Sequence, residues 1–167
     1  MTLDISSGFP YYIWLASSAD YKQLFRSQEN FKMLSSLTPS QAEYRYAPGK
    51  WNIKQIVGHM TDHERIMAYR VLRFSRKDTT PLPGYDSEVF VENSRFNEMS
   101  YEDVLEDFKN VRRATISLMS SFSAEQLQLK GTAWKFSLSV AEFLKATIGH
   151  EIHHIGVIKE RYLGQTS

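Results

Sequence analysis

Apolar residues recur every three or four positions over four long stretches of the chain, the signature of amphipathic helices. The first stretch runs from about Ser18 to Leu37, with Tyr21, Leu24, Phe25, Phe31, Leu34 and Leu37 as its stripe and Pro39 just beyond. The second follows Pro48-Gly49, with Asn52 as a candidate N-cap, and carries Ile53, Ile56, Val57, Met60, Ile66, Met67, Tyr69, Leu72 and Phe74. It must end before Thr79-Thr80-Pro81-Leu82-Pro83-Gly84, because two prolines and a glycine cannot continue a helix. The third opens on Ser100-Tyr101-Glu102-Asp103, which resembles a capping box with Asp in place of Glu, and continues through Val104, Leu105, Phe108, Val111, Ile116 and Met119. A polar patch from Ser120 to Glu125 leads through a single expected helical turn to Gly131. The fourth helix is expected from about Ser139 to Leu163, with Gly164 at its end. No repeat, low-complexity tract or strand pattern stands out.

Four helices of this length predict an all-α four-helix bundle, in one domain spanning residues 1–167. The connection between the second and third helices takes about twenty residues, longer than a simple turn needs. It either crosses the bundle or folds over one end as a lid. Its segment from Thr80 to Asn97 holds Tyr85, Val89, Phe90, Val91 and Phe96, too many apolar groups for free solvation.

Composition narrows the chemistry. With 42% hydrophobic residues, 167 positions are enough for one core and too few for two ordinary domains. A formal net charge of +1 gives no field to draw the chain to nucleic acid or an anionic membrane. The absence of cysteine excludes disulfides, thiolate metal sites and a cysteine nucleophile. The first twenty residues have no basic n-region, and no apolar run approaches the eighteen residues of a membrane span. A cytoplasmic protein is therefore expected.

All five histidines fall in two of the predicted helices: His59 and His63 on the second, His150, His153 and His154 on the fourth. Residues three or four apart share a helix face, so two imidazoles can chelate one ion without disturbing the helix, and a third from a facing helix adds to the set. A lone helical histidine is ordinarily a core or surface residue, but two such clusters and none elsewhere point to a metal. Spacing alone leaves His59 and His63 equal, and favours His154 over His153 only slightly.

The run Arg45-Tyr46-Ala47-Pro48-Gly49-Lys50-Trp51-Asn52-Ile53-Lys54-Gln55-Ile56-Val57-Gly58-His59 resembles the start of the second helix in the DinB-like (DinB/YfiT) family. Pro81-Leu82-Pro83-Gly84-Tyr85-Asp86 is similar to that family's following loop, and Val140-Ala141-Glu142-Phe143-Leu144 to Gly149-His150-Glu151-Ile152-His153-His154-Ile155-Gly156 to its last helix. The likeness covers about residues 20 to 163. It implies a four-helix bundle with an up-down-down-up path, and a divalent transition metal, zinc or nickel first and iron or manganese next, on His59, His150 and His154. It leaves His63 and His153 outside the ligand set.

The resemblance further implies a metal-dependent enzyme, either a small-molecule S-transferase using a low-molecular-weight thiol of the bacillithiol type or a hydrolase. The other reading is a non-catalytic metal- or ligand-binding protein of a stress response. The expected partners are a small-molecule substrate and a second copy of the chain, with no nucleic acid and no membrane. Asp62 and Glu151 are candidates to orient the imidazoles, although acids on helices are usually solvated. Tyr69, Arg70 and Tyr85 are candidates to anchor a substrate, although Arg70 is as easily explained by pairing with an acid.

Overall fold

The structure, a computed structural model, describes residues 3–164. Its helices are α1 (Phe9–Leu15), α2 (Tyr21–Arg26), α3 (Glu29–Ser35), α4 (Pro39–Glu43), α5 (Ile53–Ser75), α6 (Ser87–Glu92), α7 (Tyr101–Ser120), α8 (Ala124–Gln128) and α9 (Val140–Val157). A hairpin of β1 (Lys130–Ala133) and β2 (Phe136–Ser139) precedes α9, pairing Lys130 with Ser139 and Ala133 with Phe136. The bundle consists of α5, α7, α9 and the broken pair α2–α3. Among the described residues, no helix is long and apolar enough to cross a membrane.

The N-caps read from sequence, Asn52 and Ser100, both form. The Asn52 side chain accepts from the Gln55 amide, and Gln55 returns the bond to the Asn52 amide. Ser100 caps α7 through the amide of Asp103, but the Asp103 side chain does not return the bond, so the expected box is half made. At the start of α9, Ser139 and Glu142 make a reciprocal box that the sequence reading does not include. Each satisfies donors that a helix N-terminus leaves open.

Three expectations are corrected. The helix predicted from Ser18 to Leu37 breaks at Ser27–Gln28 into α2 and α3, Ser27 being extended with ψ 138°. On one continuous helix, Phe31 would lie about 120° around the axis from Phe25. The break lets both reach the core. A further helix, α1, precedes this pair. Pro10 sits in its first turn, where a missing amide costs nothing. The hairpin was also not anticipated, since two four-residue strands around Trp134-Lys135 are too short for a periodic signal. In addition, the last turn of the predicted fourth helix, Ile158–Tyr162, has π geometry.

The core forms two apolar clusters. One joins Phe25, Met67, Val71, Phe74, Met119, Phe143, Leu144 and Ile148. The other joins Phe31, Leu34, Ile53, Ile56, Val57, Met60, Phe108, Ile155 and Ile158. The N-terminal halves of α5 and α7 thus meet the C-terminal end of α9. Between the clusters in sequence, on all three helices, lie buried polar residues: Thr61, His63 and Glu64 on α5, Arg112 and Thr115 on α7, and His150 and Glu151 on α9. The functional groups occupy this middle level.

Gly149 fixes how α1 meets α9. A Cβ at that position would overlap the backbone carbonyl of Tyr12. Only a glycine lets α1 lie this close to the histidine stretch of α9.

Candidate metal centre

His59 stands two turns into α5, while His150 and His154 lie one turn apart on the facing side of α9. Their Nε2 atoms converge: His59 to His150 is 2.9 Å, and His154 to His150 is 3.1 Å. The ligand atoms of all three lie within 4.8 Å of one another, and they are the group among the described residues that could hold a metal ion. Four ligands placed tetrahedrally at about 2.1 Å from an ion stand about 3.4 Å apart, a few tenths of an ångström beyond these separations.

The electrostatics agree. Burial, then the neighbouring His153, lowers the pKa of His59 to about 4. Burial, followed by repulsion from the other histidines, holds His150 and His154 well below the ordinary imidazole value. All three are therefore neutral at pH 7, the form that binds metal. A neutral Nε2 carries either one proton or one lone pair. That of His150 faces two like atoms and cannot form a full hydrogen bond with each. A cation placed among them would meet three lone pairs at once, so the residues fit the group.

The remaining two histidines are held elsewhere. His153 turns to α1, where its Nδ1 lies 3.3 Å from the Tyr11 hydroxyl. His63 falls outside the converging group. Its ring stacks on His150, its Nδ1 lies 2.7 Å from the Tyr85 hydroxyl, and its buried Nε2 has no hydrogen-bond partner among the described residues.

The acids expected beside the imidazoles have other partners. Asp62 pairs with Arg65 at 3.5 Å. Glu151 accepts from Arg112 Nη2 and, at 2.7 Å, from Asn30, while Glu64 accepts from the same Nη2 at 2.8 Å and from Nε. This buried network ties α3, α5, α7 and α9 together directly behind His150. Tyr69 is exposed and accepts from Arg73, so it plays no part in the site.

A cavity of about 860 Å³ opens on the triad and is lined by His59, His150 and His154 together with His63, Arg70 and Tyr85. Several wall residues were not found by reading the sequence. Phe9 and Tyr12 come from α1, Trp134 and Phe136 from the hairpin, and Trp51 from the turn before α5. The long connection contributes Gly84 to Glu88. The chain between α5 and α6 is pinned to the hairpin, Leu82 donating to Thr132 and accepting from Trp134. Further along, Val91 and Phe96 are buried in the bundle. The segment therefore shapes the cavity at one end and packs on the flank at the other.

The sequence profile of the DinB superfamily matches residues 23–158. The chain belongs to the DinB superfamily. Its fold is shared with YfiT from Bacillus subtilis, described as a probable metal-dependent hydrolase with an unusual four-helix bundle topology. That match has a TM-score of 0.70 at 18% identity, covering 99% of this chain and 92% of that one. A protein of Oceanobacillus iheyensis, whose name assigns it provisionally to the metal-dependent hydrolases, is 27% identical over 133 residues, 75% of this chain and 73% of its own length. Within this DinB chain, the stretch that carries the match includes every histidine.

Proposed function

We propose that this chain is a metal-dependent hydrolase of small molecules, in which His59, His150 and His154 hold one divalent transition metal. The observation that carries the reading is the convergence of three neutral Nε2 atoms in the wall of a cavity large enough for a small substrate. The relatives named as metal-dependent hydrolases point the same way.

Three imidazoles leave a dication its full charge and at least one open position, as catalytic sites do. When bound, such an ion supplies Lewis-acid chemistry, polarising a carbonyl or lowering the pKa of a water or thiol toward neutrality. The chain's own residues do the rest. The aromatic walls give the cavity an apolar lining, and the Arg112 network fixes the helix that carries His150 and His154. Tyr85 orients His63 against His150.

One observation favours a second reading, transfer of a low-molecular-weight thiol to a small substrate. Glu64 and Glu151 are committed to Arg112, and the acids lining the cavity, Asp86 and Glu88, are exposed at its rim. Among the described residues, no buried carboxylate of the cavity wall is thus free to take a proton from an attacking water, a need that a bound thiolate does not have. The test loads the protein separately with zinc and nickel and screens ester and amide hydrolysis beside thiol conjugation. The proposal expects turnover that requires the metal and is lost in His154→Ala. Stoichiometric metal with no turnover in either class would instead support a metal-binding protein without catalysis.

A further inference from the structure

Two arginines are buried among the described residues, and they are provided for differently. Arg112, 2% exposed, is held by the carboxylates of Glu64 and Glu151. Arg70, 3% exposed, has no ion pair with any described Asp or Glu. Its Nη2 donates to the Pro83 carbonyl at 2.7 Å, and its Nη1 reaches only the sulfur of Met67 at 3.5 Å. A guanidinium has five N–H donors, so most of its capacity is unused.

A buried charge without a partner costs several kcal/mol. The one oxygen it meets, the Pro83 carbonyl, is neutral and does not balance the charge. The charge lies in the wall of the cavity that opens on the triad. Seven residues separate Arg70 from His63, which places both on the same face of α5 within about 20°. Beside them, Tyr85 also lines the cavity, and the buried Nε2 of His63 lacks a partner among the described residues. Burial depresses the pKa of Arg70, and the neighbour that opposes this is Tyr85, not an acid.

We infer that the cavity takes a small substrate bearing a carboxylate, which docks on the free edge of Arg70 while its reactive group meets the histidine triad. This inference rests on the hydrolase reading for the word substrate, but the anion subsite itself needs no metal. A planar guanidinium matches a carboxylate through two parallel hydrogen bonds. One buried positive charge, flanked by a neutral phenol and a neutral imidazole, balances a monoanion and leaves a dianion uncompensated. The aromatic walls, Phe9, Tyr12, Trp134 and Phe136, suit an apolar body behind that carboxylate. The rim acids do not occupy the site: both are exposed, and Asp86 caps α6 through the amides of Glu88 and Val89.

The test is calorimetry on chelated protein at neutral pH, with phenylacetate, phenylacetamide and inorganic phosphate as probes. Phenylacetate should bind at least about tenfold tighter than the isosteric amide, the worth of one charge-assisted pair. Arg70→Gln should erase that difference, and Arg70→Lys should keep part of it. Circular dichroism checks that each variant is folded, and the comparison on the unaltered chain decides the matter if one is not. No binding of phenylacetate, equal binding of acid and amide, or a preference that survives Arg70→Gln would overturn the subsite. Phosphate binding tighter than phenylacetate and dependent on Arg70 would overturn the carboxylate in favour of a phosphate. Because the metal is removed, a chain that never holds metal can still pass, and a metal-binding chain can fail.

Discussion

His63 lies flat against His150, with ring centroids 3.8 Å apart and planes 20° from parallel. The Tyr85 hydroxyl holds the far side of the His63 ring at 2.7 Å. His63 is thus a support for a proposed ligand and not one of the converging set. His63→Ala should leave one ion per chain and weaken zinc affinity by about tenfold to a hundredfold, the usual effect of removing a group that orients a ligand. Zinc titration decides it: complete loss of stoichiometric binding would make His63 a ligand.

Arg112 should matter more for stability than any exposed charge. Its removal leaves the carboxylates of Glu64 and Glu151 buried and facing each other. Arg112→Ala should cost about 3–5 kcal/mol in urea unfolding. A loss below about 1 kcal/mol, typical of exposed pairs, would show that the network is not closed in solution.

The buried histidines impose a pH dependence on the metal-free protein. In the unfolded chain each titrates near pH 6.5, whereas in the fold His59 is lowered to about 4 and His63, His150 and His154 lie well below the ordinary value. Above about pH 6.5 neither state binds these protons, and their contribution is flat. As pH falls below that value, the unfolded chain gains protons that the folded chain refuses, so stability drops. Each such group contributes up to about 1.4 kcal/mol per pH unit. Asp62, raised by burial, acts weakly in the opposite sense. Urea unfolding of chelated protein between about pH 7.5 and pH 5 should show the decline, reduced in His150→Leu. A flat profile would mean that the histidines are solvated.

Gly149→Ala should separate α1 from α9, because the new methyl meets the Tyr12 carbonyl and neither helix backbone can give locally. A loss of about 1–3 kcal/mol is expected, with faster proteolysis before residue 20. An unchanged melt would show that α1 does not hold this position in solution.

How much of this was legible in the chain depends on the length over which each signal repeats. The helices α5, α7 and α9 were readable because their apolar period persists for many turns, and Asn52 and Ser100 marked the starts of the first two. The broken first helix was not, because Phe25 and Phe31 each fit a helical stripe and only their mutual phase betrays the break. The triad was narrowed by spacing and chosen by family resemblance. His153 and His154 differ by a fraction of a turn, and it is the packing that separates them, turning His154 Nε2 to His150 and His153 Nδ1 to the Tyr11 hydroxyl. Phe9, Tyr12, Trp134 and Phe136 carried no sequence signal for the cavity, since aromatics in short elements read equally well as core. Arg70 was visible as a candidate, but a missing counter-charge is a fact of three dimensions.

The most direct test of the central claim is elemental analysis of protein purified without a histidine tag, run in parallel on His153→Ala and His154→Ala. About one divalent ion per chain is expected in the unaltered protein and in His153→Ala, with little or none in His154→Ala. An unaltered chain that binds no metal when offered zinc or nickel, or a His154→Ala chain that keeps its ion while His153→Ala loses it, would contradict the account.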